Sequence, residues 1–396
     1  MASQTDKNAI DTPDISLASK IDSARRIVIK IGSALLFDSK KGMPRRHWMD
    51  RLGDDIAELC AQGKEVIIVS SGSIALGRQI LGLKKTLKLE AKQAAAATGQ
   101  VALVQLWADA LAAHHLTAAQ ILLAPDDTET RKRHINARDT ISTLLELGVV
   151  PVVNENDTIT TYEIRFGDND RLAARVAAMM SADLLILLSD IDGLYSANPK
   201  QDNTARHIPY ISEITDEIMA MGGDSDTEIA SGGMTTKLAA AQIASKAGVT
   251  MGICSGVIDR PLSHLREGGK ASLFAASTSS ITARKNWIAG ALAPQGQIQI
   301  DTGAYTALQA GKSLLPVGVT SVSGIFDRGD LVQLISPDGD EIGYGLTAYS
   351  NQEARKLAGQ KSTDITAVLG YEHRDELVHA DDLVILKPSS AKKLTD

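Results

Sequence analysis

Arg26-Ile27-Val28-Ile29-Lys30-Ile31-Gly32-Ser33 sets the reading of the fold. It is a short, almost continuously apolar run rich in β-branched residues, with a lysine near its end and a glycine turn after it. Five more runs of this kind lie at 65–70, 118–123, 149–154, 183–189 and 249–254. Segments of helical period fill the gaps, the most regular at 45–62, 88–114, 131–147, 168–180 and 235–247. Strand and helix in alternation are the βαβ signature, and strands this apolar require cover on both faces. The expectation is an α/β fold, an αβα sandwich around a largely parallel sheet.

The texture changes after Trp287. Gly and Pro punctuate 289–295, which reads as a linker, and short β-like runs follow at 298–300, 319–322, 331–335 and 383–386 with one helix at 351–357. The organisation expected is a polar extension over 1–24, a main unit over 25–288, a small mostly-β domain over 296–388 and a tail over 389–396. The small domain is expected to be an independently folded accessory unit.

Bulk composition narrows the function classes. The 396 residues are 44% apolar and 22% charged, close to globular averages, and 4% aromatic, which favours helices layered on a sheet over a β-sandwich. Net charge is −7, so no global basic field attracts nucleic acid or an anionic membrane. The small domain is itself acidic, with seven Lys or Arg against thirteen Asp or Glu over 296–388, so RNA is not an expected partner. Cys60 and Cys254 sit in apolar surroundings without metal-ligand spacing. Residues 1–24 lack an apolar signal core and no later run is long enough to cross a bilayer, so the expectation is a soluble, cytoplasmic protein with no membrane partner.

In open α/β sheets ligands bind beyond the carboxyl ends of the strands. Six motifs occupy those positions: Lys30-Ile31-Gly32-Ser33, Ser70-Ser71-Gly72-Ser73, Asn154-Glu155-Asn156-Asp157, Gly167-Asp168-Asn169-Asp170, Ser189-Asp190, and Ser231-Gly232-Gly233-Met234-Thr235-Thr236-Lys237. Singly, each is weak. Ser-Gly and Gly-Gly before a helix are usually caps or turns, an Asp at a helix start is commonly an N-cap, and a lysine at a strand end is often a surface residue. Together at one sheet edge they supply cations, hydroxyls and open backbone amides suited to anions.

These segments resemble the glutamate 5-kinase family of amino-acid kinases. Ile135-Asn136-Ala137-Arg138-Asp139-Thr140 and Ala367-Val368-Leu369-Gly370-Tyr371-Glu372 extend the similarity to nearly the whole chain from Arg25. The resemblance implies the amino-acid kinase fold with a C-terminal PUA-like domain. It implies ATP and Mg²⁺ with L-glutamate as acceptor, γ-glutamyl phosphate as product, proline synthesis as pathway, proline as a feedback inhibitor and a homo-oligomer. It implies Lys30, Lys237 and Asp170 as the catalytic set, with Asp170 orienting both ammonium groups. Ser71, Gly72, Asn154, Asp157 and Asn169 would meet glutamate. Ser189, Asp190 and the run Ser231, Gly232, Gly233, Met234, Thr235, Thr236 and Lys237, with Lys30, would meet ATP. No protein side chain is assigned to the metal. Ser189 and Ser231 replace expected threonines, and either hydroxyl makes the same hydrogen bond.

The implied chemistry suits these residue types. A carboxylate acceptor is ionised at neutral pH and needs no general base. The difficulty is bringing one anion against another, which positioning and positive charge must overcome. The fold is equally compatible with aspartate, acetylglutamate, carbamate or UMP as acceptor, and the 154–157 block favours glutamate.

Overall fold

A computed structural model of the chain describes residues 16–38, 42–84, 88–159, 168–223, 233–289, 293–372 and 374–386. Eight strands form the main sheet: β1 (Arg26–Ile31), β2 (Glu65–Ser70), β3 (Ala118–Leu123), β4 (Val150–Glu155), β5 (Leu184–Ser189), β6 (Tyr210–Ile211), β7 (Thr250–Ser255) and β8 (Ala271–Phe274). Their order is β6-β8-β7-β5-β1-β2-β4-β3. The six strands expected from the sequence are present and mutually parallel. Two short additions, β8 antiparallel to β7 and β6 parallel to β8, extend one edge. Runs of four and two residues are too brief for their periodicity to register.

The helices of this unit include α1 (Leu17–Ser23), α2 (Arg46–Ala61), α3 (Ser73–Ile80), α4 (Leu89–Ala112), α5 (Pro125–Glu129), α6 (Arg131–Glu146), α7 (Asp168–Met179), α8 (Met234–Lys246) and α9 (Ser280–Ala289), with short ones at Ser33–Leu36, Asp216–Ala220 and Pro261–Arg266. Strand alternation decides what each strand residue faces. Ile27, Ile29 and Ile31 of β1 pack with Leu52, Ile56 and Leu59 of α2 and Leu103 and Trp107 of α4. Val28 packs with Ala173, Val176 and Ala177 of α7 and Leu238 and Ala241 of α8 on the other face. The sheet is thus covered on both sides, as continuous apolarity demands.

Residues 1–24 are not wholly a polar extension. α1 buries Leu17 and Ile21 in the first of these cores, and a Cβ on Gly252 of β7 would lie 2.6 Å from Leu17 Cδ2. Two apolar residues four apart hold it there, a signal too small to stand out from its polar surroundings.

The C-terminal unit is a five-stranded sheet of β9 (Gly296–Ile300), β10 (Val319–Gly324), β11 (Leu331–Ile335), β12 (Glu341–Leu346) and β13 (Leu383–Ile385), in the order β10-β9-β11-β12-β13. Where one helix was expected the described residues hold three α-helices: the expected α10 (Asn351–Leu357), which begins at a capping box between Ser350 and Glu353, and two more at Thr302–Gln309 and Ile365–Leu369. β12 escapes a sequence reading because Gly343 and Gly345 interrupt its pattern. Both are needed for close approach, since a Cβ on Gly343 would lie 2.1 Å from the Val384 carbonyl oxygen.

The two units are docked. Ile135 of α6 and Ile288 of α9 form one apolar cluster with Leu331 and Leu346. Arg138, buried on α6, donates two hydrogen bonds to the Asp382 carboxylate at 2.6 and 2.5 Å, and Arg284 of α9 pairs with the same carboxylate. Asp139 accepts from Arg328 at 3.1 Å and pairs with Arg374 at 2.5 Å. The 135–140 motif, which had no role in the sequence reading, is the seat of this junction.

Candidate active site

Alternation along β1 turns Lys30 toward α7 and α8, on the same face as Val28. Asp170, in the first turn of α7, is completely buried between two ammonium groups. Lys30 Nζ stands 2.5 Å from its Oδ1 as a close ion pair, and Lys237 Nζ of α8 lies 3.3 Å from its Oδ2. The Thr236 hydroxyl donates to Oδ2 at 2.8 Å. Burial pushes the Lys30 ammonium below the ordinary lysine range, while Asp170 opposes that shift and Lys237 adds to it. Burial alone would raise the Asp170 carboxyl, but Lys30, Lys237 and Thr236 outweigh it and hold it below the ordinary range. Two cations on one anion leave a local excess of positive charge, at the helix N-termini where anions are favoured.

A second cluster forms at the ends of β2 and β4. The Asn169 amide lies 3.1 Å from the Ser70 carbonyl, 2.9 Å from the Ser71 hydroxyl and 3.0 Å from Asn154 Oδ1. Asn154 in turn donates to Gln100 Oε1 at 2.6 Å. Gln100 is buried on α4, and its Nε2 has no hydrogen-bond partner among the described residues. Asp157, 8% exposed, accepts from the Ser73 hydroxyl at 3.2 Å, and among the described residues no Lys, Arg or His pairs with it. Burial raises its pKa to about 6, with the Ser73 hydrogen bond acting the other way. A buried carboxylate lacking a cation is the shape of an ammonium subsite.

Backbone geometry fixes this cluster. Gly72 caps α3 at φ 105°, a conformation closed to most side chains, and so turns the chain sharply from β2 into the helix. α3 and α4 touch through glycines: a Cβ on Gly77 would lie 1.7 Å from the Ala95 carbonyl oxygen, and one on Gly99 1.8 Å from that of Ser73. This contact brings Gln100 beside the ends of β2 and β4.

Of the remaining residues, Gly233 caps α8 with no side-chain hydrogen bond to its first turn, while the Thr236 amide donates to the Gly233 carbonyl at 3.2 Å. Met234 packs against the core, and the Thr235 hydroxyl donates to the Gly222 carbonyl at 3.1 Å, so both side chains serve the fold. Ser189 ends β5 and donates to the exposed Asp190 at 3.2 Å. Ser231 and Gly232 lie outside the described residues. Sequence reasoning missed Gln100, one of three glutamines of α4 and marked out only by the glycine before it, and gave Ser73 no role inside a motif it had marked. Burial pushes both thiols up, Cys60 to about 11, so neither is a nucleophile at neutral pH.

The lysine-flanked carboxylate lies at the carboxyl edge of the parallel strands, where open α/β sheets bind their ligands. A family model described as the amino acid kinase family matches residues 25–255, more than half of the chain, and the chain belongs to that family. A second model, the PUA domain, matches residues 296–369. The chain is 54% identical over 373 residues to "Glutamate 5-kinase 1" of Rhizobium meliloti (strain 1021), covering 94% of this chain and 95% of that protein. It is 55% identical over 372 residues to the glutamate 5-kinase of Gluconobacter oxydans (strain 621H), covering 94% and 98%. Among solved structures, the UMP kinase of Ureaplasma parvum aligns at a TM-score of 0.44 and 19% identity, over 63% of this chain and 98% of its own.

Proposed function

We propose that the protein transfers the γ-phosphoryl group of ATP to the side-chain carboxylate of L-glutamate, giving L-glutamyl 5-phosphate and ADP, the first step of proline biosynthesis. The observation that carries the transfer is the pair of ammonium groups on Asp170. A glutamate carboxylate oxygen forms a bond to the γ-phosphorus while the bond from that phosphorus to the β,γ-bridging oxygen breaks, and the electron pair leaves with ADP. No proton is removed from the nucleophile. Lys30 and Lys237 meet the charge that spreads over the phosphoryl oxygens, and Asp170 keeps both ammonium groups aimed. The amides of Gly233, Met234 and Thr235, with Ser231 and Gly232, would cradle the phosphates, and Ser189 and Asp190 would meet the nucleotide.

Glutamate is read by the second cluster. Its ammonium pairs with Asp157, and Ser71, Gly72, Asn154 and Asn169 present donors and acceptors to the rest of the amino acid. Mg²⁺ bound with the nucleotide would neutralise charge on the phosphate oxygens. Homo-oligomerisation belongs to the same proposal. α4 exposes Val101 at 70% and the edge strand β3 exposes Leu122, apolar surface that a second copy would cover. No helix among the described residues is long and apolar enough to cross a membrane.

The test is ATP turnover with hydroxylamine present, which traps an acyl phosphate as a hydroxamate. Hydroxamate should form with L-glutamate and not with aspartate, acetylglutamate or carbamate, and UMP should not be phosphorylated. Turnover indifferent to glutamate would sink the reading.

A further inference from the structure

A cavity of about 430 Å³ opens at the far ends of the two helices that carry the lysine-binding carboxylate and its partner. Asp170 stands in the first turn of α7 and Lys237 in the first turn of α8, whereas the cavity is lined by their last turns, through Ala178, Met179, Ile243, Lys246 and Ala247. Nine residues separate Asp170 from Met179, roughly 14 Å along a helix axis. The cavity is therefore distinct from the phosphoryl-transfer centre, and its volume lies within the usual range for small-molecule sites.

Its chemistry differs from that of the whole chain. The chain carries a net charge of −7, yet the lining sets Arg175, Lys246 and Arg284 against one acid, Glu129. Arg175 pairs with Glu129 at 3.0 Å, and Arg284 pairs with Asp382 of the C-terminal unit. Lys246 has no hydrogen bond or ion pair among the described residues. The floor is apolar, formed by Met179, Ile243, Ala247 and Ala283. A lysine in the last turn of α8 favours the helix dipole and needs no ligand for that. The dipole does not account for two arginines from other helices meeting it around a cavity.

We propose that this cavity binds a small organic anion, a carboxylate or phosphate ester on an apolar body, and that the anion regulates the enzyme. Charge complementarity selects the anion and the floor selects the body. An occupant wedged between the last turns of α7 and α8 acts on the same packed helices whose first turns carry Asp170 and Lys237. Through Arg284 it also reaches the carboxylate that docks the C-terminal unit.

Calorimetric titration of the full chain with hexanoate, hexyl phosphate and hexanol tests this without relying on the kinase reading. Saturable binding of hexanoate or hexyl phosphate is expected, the tighter of the two naming the anion class, with hexanol at least tenfold weaker. Lys246→Ala, at an exposed position where folding is not at stake, should weaken binding about tenfold. Ala283→Phe should abolish it by filling the floor. Saturating anion should change glutamate-dependent turnover at least twofold in the parent and not in Lys246→Ala. Hexanol binding as tightly as hexanoate, or anion binding unchanged in both variants, would overturn the site. Binding without a change in turnover would overturn its regulatory role.

Discussion

Asp157 and Lys237 carry the sharpest consequences at the level of single residues. Lys237→Ala should lower kcat on the order of a hundredfold or more with little change in the glutamate KM, because the ammonium meets charge that grows only in the transition state. Near-normal kcat in a steady-state assay would remove Lys237 from the catalytic set. For Asp157 the raised pKa fixes a sign. In the free protein its contribution to stability is full below pH 3.8 and is lost as pH climbs through about 6, where a buried carboxylate without a cation must ionise. Asp157→Asn removes that loss, so the free variant should be more stable than the parent above pH 6, by about 3 kcal/mol at most. The same change deprives the substrate ammonium of its partner, so the glutamate KM should rise at least a hundredfold while the ATP KM holds. In the parent, the glutamate KM should rise as pH falls below about 6. Urea titrations at pH 5 and 8, paired with both Michaelis constants, separate these outcomes, and a variant less stable at pH 8 would contradict the ammonium subsite.

At the scale of elements, the α3–α4 crossing controls the substrate cluster. Neither Gly77 nor Gly99 has a positive φ, so backbone conformation would tolerate alanine and only the neighbouring helix forbids it. Gly99→Ala places a methyl 1.8 Å from the Ser73 carbonyl oxygen, which separates the helices and shifts both Ser73 and Gln100. Overpacking of this kind costs about 1–3 kcal/mol. A lower urea midpoint should accompany a glutamate KM raised more than the ATP KM. An equal rise in both constants would show that the crossing supports the whole fold rather than the glutamate subsite.

For the whole molecule, the junction between the units revises the expectation of a separable accessory domain. The residues proposed for chemistry all precede Cys254, so the C-terminal unit brings no reacting group. Its Asp382 nevertheless neutralises Arg138, which is 7% exposed, and Arg284 beside it. Asp382→Ala leaves these cations without their shared carboxylate and should cost about 3–5 kcal/mol, with Arg138 still near Asp139. Calorimetry should show a lower transition temperature and separate melting of the two units, while turnover of the folded fraction persists. A single transition at the parent temperature would mean that the apolar cluster of Ile135, Ile288, Leu331 and Leu346 holds the junction by itself.

Local pattern in the sequence was enough for the six parallel strands, the main helices and the motifs at the strand ends, because apolar period and glycine turns are written residue by residue. Resemblance also singled out Lys30, Asp170 and Lys237, three residues that the folded chain brings into contact. Local pattern could not supply Gln100, whose place depends on two glycines letting α3 and α4 touch. Nor could it give 135–140 a role: Arg138 and Asp382 lie 244 residues apart, and a hydrogen bond across that separation leaves no periodic trace. The helix at Leu17–Ser23 and the strands at 210–211, 271–274 and 341–346 fall to the same cause. Each is too short or too glycine-broken to declare itself, and each is held by neighbours distant in sequence that only the folded chain brings within van der Waals reach.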